Sequence, residues 1–108
     1  MPSDDDLLRV DVTKDGDGFT ITICGEIDLS NDHDLVCAAR LALSSARCAT
    51  LTLDLAGVTF MDCSGLTALL TINSACERRS AVLTITNANS SVRQLVKLAD
   101  LDGVLNLN

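Results

Sequence analysis

The sequence predicts an α/β domain: a mixed sheet of four to five strands that starts with an N-terminal hairpin and carries about three to four packed helices. Three observations predict it. Four stretches alternate apolar with polar residues, the period of a strand with one dry face. Between the later stretches the apolar spacing becomes helical. Strand and helix then take turns along the chain, the order expected of parallel neighbours joined by right-handed crossovers.

Residues 1–7 open with a polar, acidic run from Met1 to Asp6 and are expected to form a flexible N-terminus. From Leu8, the residues Leu8, Val10 and Val12 alternate with Arg9, Asp11 and Thr13. Lys14 to Gly18 is dense in turn formers, after which Phe19, Ile21 and Ile23 alternate with Thr20 and Thr22, completing a hairpin. Gly25 ends the second strand, and Ser30 or Asn31 is placed to cap a helix that opens with Asp32 and Asp34 and runs to about Ser45. Leu35, Ala38, Ala39 and Ala42 form its inner face, small enough to lie close to a sheet.

Leu51, Leu53 and Leu55 mark the third strand, and Val58 and Phe60 continue its apolar signal past Gly57. Met61 to Gly65 punctuates the chain before a second helix, about 65–79, with Ala68, Leu69, Ile72, Ala75 and Cys76 on one face. Ala81 to Thr86 is a fourth strand, and Asn87 to Ser91 supplies a cap for a third helix through Val92, Leu95, Val96 and Ala99. Gly103 stops that helix, and Val104 to Leu107 is expected to add a short last strand. Helices are expected on the sheet faces.

Composition bounds the function. The 108 residues make a single domain, 8–108, and 47% of them are apolar, enough for one core. With 2% aromatics the core must be aliphatic, and there is no stacking platform for single-stranded nucleic acid. Eight basic against 15 acidic residues leave a net charge of −7, which repels phosphate backbones and anionic membranes. Five cysteines (Cys24, Cys37, Cys48, Cys63 and Cys76), widely spaced and without a preceding secretory pattern, fit a reducing cytoplasm and small buried hydrophobes better than a disulfide framework. No C-x-x-C pair and a single histidine, His33, predict neither metal site nor cofactor. No apolar run is long enough to span a membrane.

Two segments carry chemistry, 25–31 and 57–66, because both lead from a strand into a helix, where α/β sheets place their sites. The second gathers Asp62, Cys63, Ser64 and Gly65 at a helix N-terminus, whose free N–H groups and dipole favour negative charge. Asp62 or Ser64 as a plain helix cap explains part of this. A nucleophilic enzyme would need His33 as base, and Asp62 stands where the nucleophile elbow requires glycine. Catalysis is therefore not expected. A regulatory phosphate at the same corner fits the charge-accepting helix end.

The stretch Leu53-Asp54-Leu55-Ala56-Gly57-Val58-Thr59-Phe60-Met61-Asp62-Cys63-Ser64-Gly65-Leu66 closely resembles the signature of the STAS domain (sulphate transporter and anti-sigma factor antagonist). Gly25-Glu26-Ile27-Asp28 resembles the family's other recurrent element, and Ser91-Val92-Arg93-Gln94-Leu95 its last long helix. The resemblance implies a STAS-like fold and the role of a stand-alone bacterial anti-sigma factor antagonist, with a STAS scaffold or sensor subunit of a stress-signalling assembly as the alternative. It implies a serine-kinase anti-sigma factor as partner, release of a sigma factor, resetting by a phosphatase, and a monomer or weak dimer. The partner surface implied by position is Glu26, Ile27, Asp28, Met61, Asp62, Cys63, Ser64 and Leu66. Cys63 occupies the position that the family phosphorylates. That leaves Ser64 as the acceptor, a constitutive antagonist, or a redox-sensitive Cys63 as the three outcomes.

Overall fold

The computed structural model describes residues 8–45, 48–105 and 107. The expected N-terminal segment 1–7 lies outside them. The elements are β1 (Arg9–Asp15), β2 (Gly18–Ile27), α1 (Asp32–Leu43), β3 (Thr50–Met61), α2 (Cys63–Arg78), β4 (Val82–Thr86) and α3 (Ser90–Leu98). The strands lie in the order β1-β2-β3-β4, with β1 antiparallel to β2 and the other pairs parallel. Asp15 faces Gly18 across a two-residue turn in which Gly16 takes φ +60°, a conformation that glycine adopts without strain.

One face of this sheet makes the core. Ile21, Leu53 and Ile85 stand in register across β2, β3 and β4, as do Phe19, Leu51 and Leu83. All but the half-buried Phe19 are buried. Leu35, Ala39, Leu66, Leu69, Ile72, Val92 and Val96 from the three helices belong to the same cluster. The opposite face carries Thr20, Thr52 and Thr84 in one row and Thr22, Asp54 and Thr86 in the next, each half-buried. Each crossover steps the same way across the sheet, and right-handed steps in one direction put their helices on one side. The helices expected on the sheet faces thus gather on one of them, and the other is rich in threonine because branched side chains suit a pleated surface that meets water.

The last expected strand also needs correction. The amides of Val104 and Leu105 both donate to the Leu101 carbonyl, at 3.0 and 2.9 Å, so the backbone curls into a turn instead of laddering. What remains among the described residues is one parallel bridge between Leu107 and Ile85. The two sheet edges are therefore β1, with Arg9, Asp11, Lys14 and Asp15 along it, and the five-residue β4 flanked by that bridge.

β3 is one continuous strand, but its buried positions, Leu51, Leu53, Leu55, Val58 and Met61, fall at intervals of 2, 2, 3 and 3. Each interval of three is a bulge, seen as a register shift against β2 between Thr22 and Cys24 and again between Gly25 and Glu26. The second bulge turns Phe60 outward, so the apolar signal that it continues past Gly57 does not lead into the core.

Two acidic side chains on this frame are tied by hydrogen bonds. Ser30 donates its hydroxyl and its amide to Asp28 Oδ1, and those bonds hold the Asp28 carboxyl below the usual carboxylate range. Asp54 is lowered by the Asn87 side chain and then by the Ala56 amide, both near 3.0 Å. A carboxyl depressed in the folded state contributes stability above its unfolded value, near 3.8, and loses it as pH falls through the folded value. The urea midpoint is expected to fall between pH 5 and pH 2, and Ser30→Ala with Asn87→Ala to flatten that acid limb. A limb of unchanged steepness in the double variant would contradict the assignment.

Candidate functional site

The C-terminal ends of β2 and β3 lie side by side, Glu26 opposite Phe60 and Ile27 opposite Met61. The Asp62 amide donates to the Ile27 carbonyl at 3.2 Å, which locks the exit of β3 to that of β2. Two loops leave this junction.

The first, 28–31, is folded by its own side chains. Asn31 Oδ1 accepts from the Asp28 amide at 2.9 Å, and Asn31 Nδ2 donates to the Glu26 carbonyl at 2.8 Å. Asn31 occupies the N-cap position of α1 but caps nothing with its side chain, because the amide is turned back into the loop. Ser30 likewise bonds Asp28 and not the helix. Neither candidate cap acts as one, and Asp28 organises the loop.

The second leads straight into α2. Asp62 is its N-cap, with Oδ1 accepting from Ser64 N at 2.8 Å and Gly65 N at 3.3 Å. Cys63 then begins the helix as an exposed residue, while Ser64 is half-buried. Gly65 is buried because no side chain fits there: a Cβ would stand 2.3 Å from Met61 Cγ and 3.0 Å from Ile27 Cγ2.

The residues that the sequence placed on this surface separate into two groups. Glu26 and Cys63 are exposed, and Asp28, Asp62 and Ser64 are partly so. Ile27, Met61 and Leu66 are buried in the core cluster and hold the corner from beneath. The apolar side chains that do face water here are Leu29, 78% exposed, and Phe60, 51% exposed. Sequence reasoning missed both. The inward step at Met61 is a signal for Phe60, since neighbouring strand residues point to opposite faces.

His33 and Cys37 lie one turn apart on the exposed side of α1, with Nε2 and Sγ 3.3 Å apart. The histidine thus meets a thiol of its own helix. Among the described residues no three His, Cys, Asp or Glu side chains gather as a metal site, and no helix is long and apolar enough to cross a membrane.

The family profile described as "Mlab, STAS domain" matches residues 10–107. The chain belongs to the STAS domain family. An anti-sigma factor antagonist from Mycobacterium paratuberculosis aligns with 98% of this chain and 89% of its own, at 21% identity and a TM-score of 0.81. The anti-sigma factor antagonist SpoIIAA in its unphosphorylated form aligns with 94% of this chain and 88% of its own, at 17% identity and a TM-score of 0.76. The Bacillus cell fate determinant SpoIIAA in its phosphorylated form aligns with 94% and 91%, at 16% identity and a TM-score of 0.71. At these identities the likeness is one of fold. In this STAS domain the signature stretch, 53–66, covers β3 from Leu53 onward and the first turn of α2, bulges included.

The cysteines of this STAS domain rank by environment. Burial pushes the Cys76 thiol up to about 11 from 9.0, with smaller contributions from Cys48 and Glu77, and burial also raises Cys48. At pH 8 that shift leaves Cys76 with about a hundredfold less thiolate than an ordinary thiol, on top of its lack of access. Iodoacetamide is expected to label Cys63 and Cys37 first and Cys76 only on unfolding, as read by peptide mass spectrometry. Early labelling of Cys76 would contradict the packing of α2.

Proposed function

We propose that this STAS domain is an anti-sigma factor antagonist: it binds an anti-sigma factor of the serine-kinase type, frees a sigma factor and so regulates transcription by partner switching. In this reading it works in the cytoplasm and catalyses nothing itself. The observation that carries the proposal is the corner at the start of α2, where Cys63 is exposed and Ser64 half-buried beside the capping carboxylate of Asp62. Exposed Phe60 and Leu29 come from the two segments that meet at this corner, as do Glu26, Asp28 and Asp62, whose negative charge would steer a basic docking patch.

Ser64 is the proposed phosphate acceptor. Asp62 already occupies the helix-end amides of Ser64 and Gly65, so a phosphate of about −1.5 to −2 charge would stand against a carboxylate. The result is repulsion on the docking face. A phosphatase that removes the group restores binding. That SpoIIAA has been solved with and without its phosphate supports the reading by analogy of fold.

The test is to titrate the chain against a purified kinase-type anti-sigma factor, then add ATP and map the phosphate by mass spectrometry. The expected result is modification at Ser64, binding weakened by roughly tenfold or more in Ser64→Asp through like-charge repulsion, and binding retained in Cys63→Ser. Equal binding by wild type and Ser64→Asp removes Ser64 from the switch, and no binding at all removes the role.

A further inference from the structure

The end of the molecule remote from this corner gathers arginines. α1 and α2 both start at the carboxyl ends of strands and run back toward the other pole, over 12 and 16 residues. At about 1.5 Å per residue their C-termini lie about 18 to 24 Å from their starts. Arg40 in the last turn of α1, and Arg78 and Arg79 at the end of α2, converge there on a cavity of about 200 Å³ walled by Leu43 and Ala75. These are three of the eight basic residues in a chain of net charge −7.

Helix dipoles account for only part of this gathering. Each helix C-terminus carries about half a negative charge, so two of them offset about one of the three guanidiniums. Arg79 Nη1 donates to the Leu43 carbonyl at 3.1 Å, which ties the end of α2 to the end of α1 and uses one of the five donors an arginine has. Among the described residues Arg40 and Arg78 have no ion-pair partner. Glu77 does not line the cavity, and its carboxylate accepts from Asn73 at 3.3 Å.

We propose that this cavity is an anion site for a phosphate group, free or carried by a small molecule. Guanidiniums are planar forks that bind phosphate oxygens in pairs, and a positive excess of about two charges matches a phosphate dianion. The volume is about seven times the roughly 30 Å³ share of a water molecule in the liquid, room for the phosphate and a short carbon chain against Leu43 and Ala75. The site is separate from the α2 corner and stands whether or not an anti-sigma factor binds there.

The test is NMR of the full chain at low salt, following backbone amides and arginine Nε–H signals during titration with inorganic phosphate and, separately, glycerol 3-phosphate. The expected result is saturable shifts at Arg40, Arg78 and Arg79, with no shift at Cys63 or Ser64. Arg40→Gln and Arg78→Gln, at exposed side chains outside the core, are each expected to weaken binding about tenfold. Tighter binding of the glycerol ester supports an organic phosphate as the natural ligand, and equal binding supports phosphate itself. Shifts that never saturate, shifts of equal size at Arg93 and Lys97 on α3, or full affinity in both variants would overturn the site.

Discussion

Leu53→Ala is expected to cost the fold about 2–5 kcal/mol, read as a lowered urea midpoint with an unchanged slope. Leu53 has no exposed surface and lies in the middle of β3, flanked in register by Ile21 and Ile85, both equally enclosed. The cost depends on whether neighbours can close the gap. Here they are mostly branched aliphatic side chains with stiff rotamers on a hydrogen-bonded sheet, and neither phenylalanine can swing in, since Phe60 faces water and Phe19 sits a row away. A domain of this size has a net stability of about 5–15 kcal/mol, so the loss is a large part of the whole. Thr52→Ala, one position along on the polar face, is expected to change stability by no more than about 0.5 kcal/mol. Similar losses from the two substitutions would refute a core confined to one side of the sheet.

Gly65→Ala is expected to destabilise by about 1–3 kcal/mol and, in doing so, to move the exposed corner. The added methyl would meet Met61 Cγ at 2.3 Å and Met61 Sδ at 3.1 Å, with Ile27 behind at 3.0 Å. Something must yield. If Met61 is the obstacle, Met61→Ala makes room, and the double variant should be more stable than the sum of the two single losses by about 0.5–3 kcal/mol. Strict additivity would mean that the glycine is needed for another reason. Cys63 reactivity toward iodoacetamide provides an independent readout, expected to change in Gly65→Ala and to recover in the double variant.

Much of the frame was legible from residue periods alone. The hairpin, the three helices and the four strands follow from alternation and from turn formers such as Gly16 and Asp17, because those signals are local. Apart from the cap expected of Ser30 or Asn31, whose side chains bond back into their own loop, the errors were non-local. Which side a helix takes depends on the direction of its crossover. Whether Val104 to Leu107 pairs depends on the competing Leu101 carbonyl. The two bulges of β3 depend on its register against β2, and they decide that Phe60 faces out while Val58 and Met61 face in. At the site, the corner of Asp62, Cys63 and Ser64 was legible because a helix cap is a local pattern. Its apolar company was not: Ile27, Met61 and Leu66 are the obvious hydrophobes in the motif, and their burial is decided by Gly65 and the parallel pairing above it.

The two sheet borders set what the molecule does in a crowd. A twisted sheet with one naked side invites stacking and end-on growth into fibres when a border strand is long, flat and greasy. Here one border strand alternates charges of both signs, and the other is five residues long with a bridge beside it. The chain can thus keep a face of threonines wet and still resist polymerisation at high local concentration.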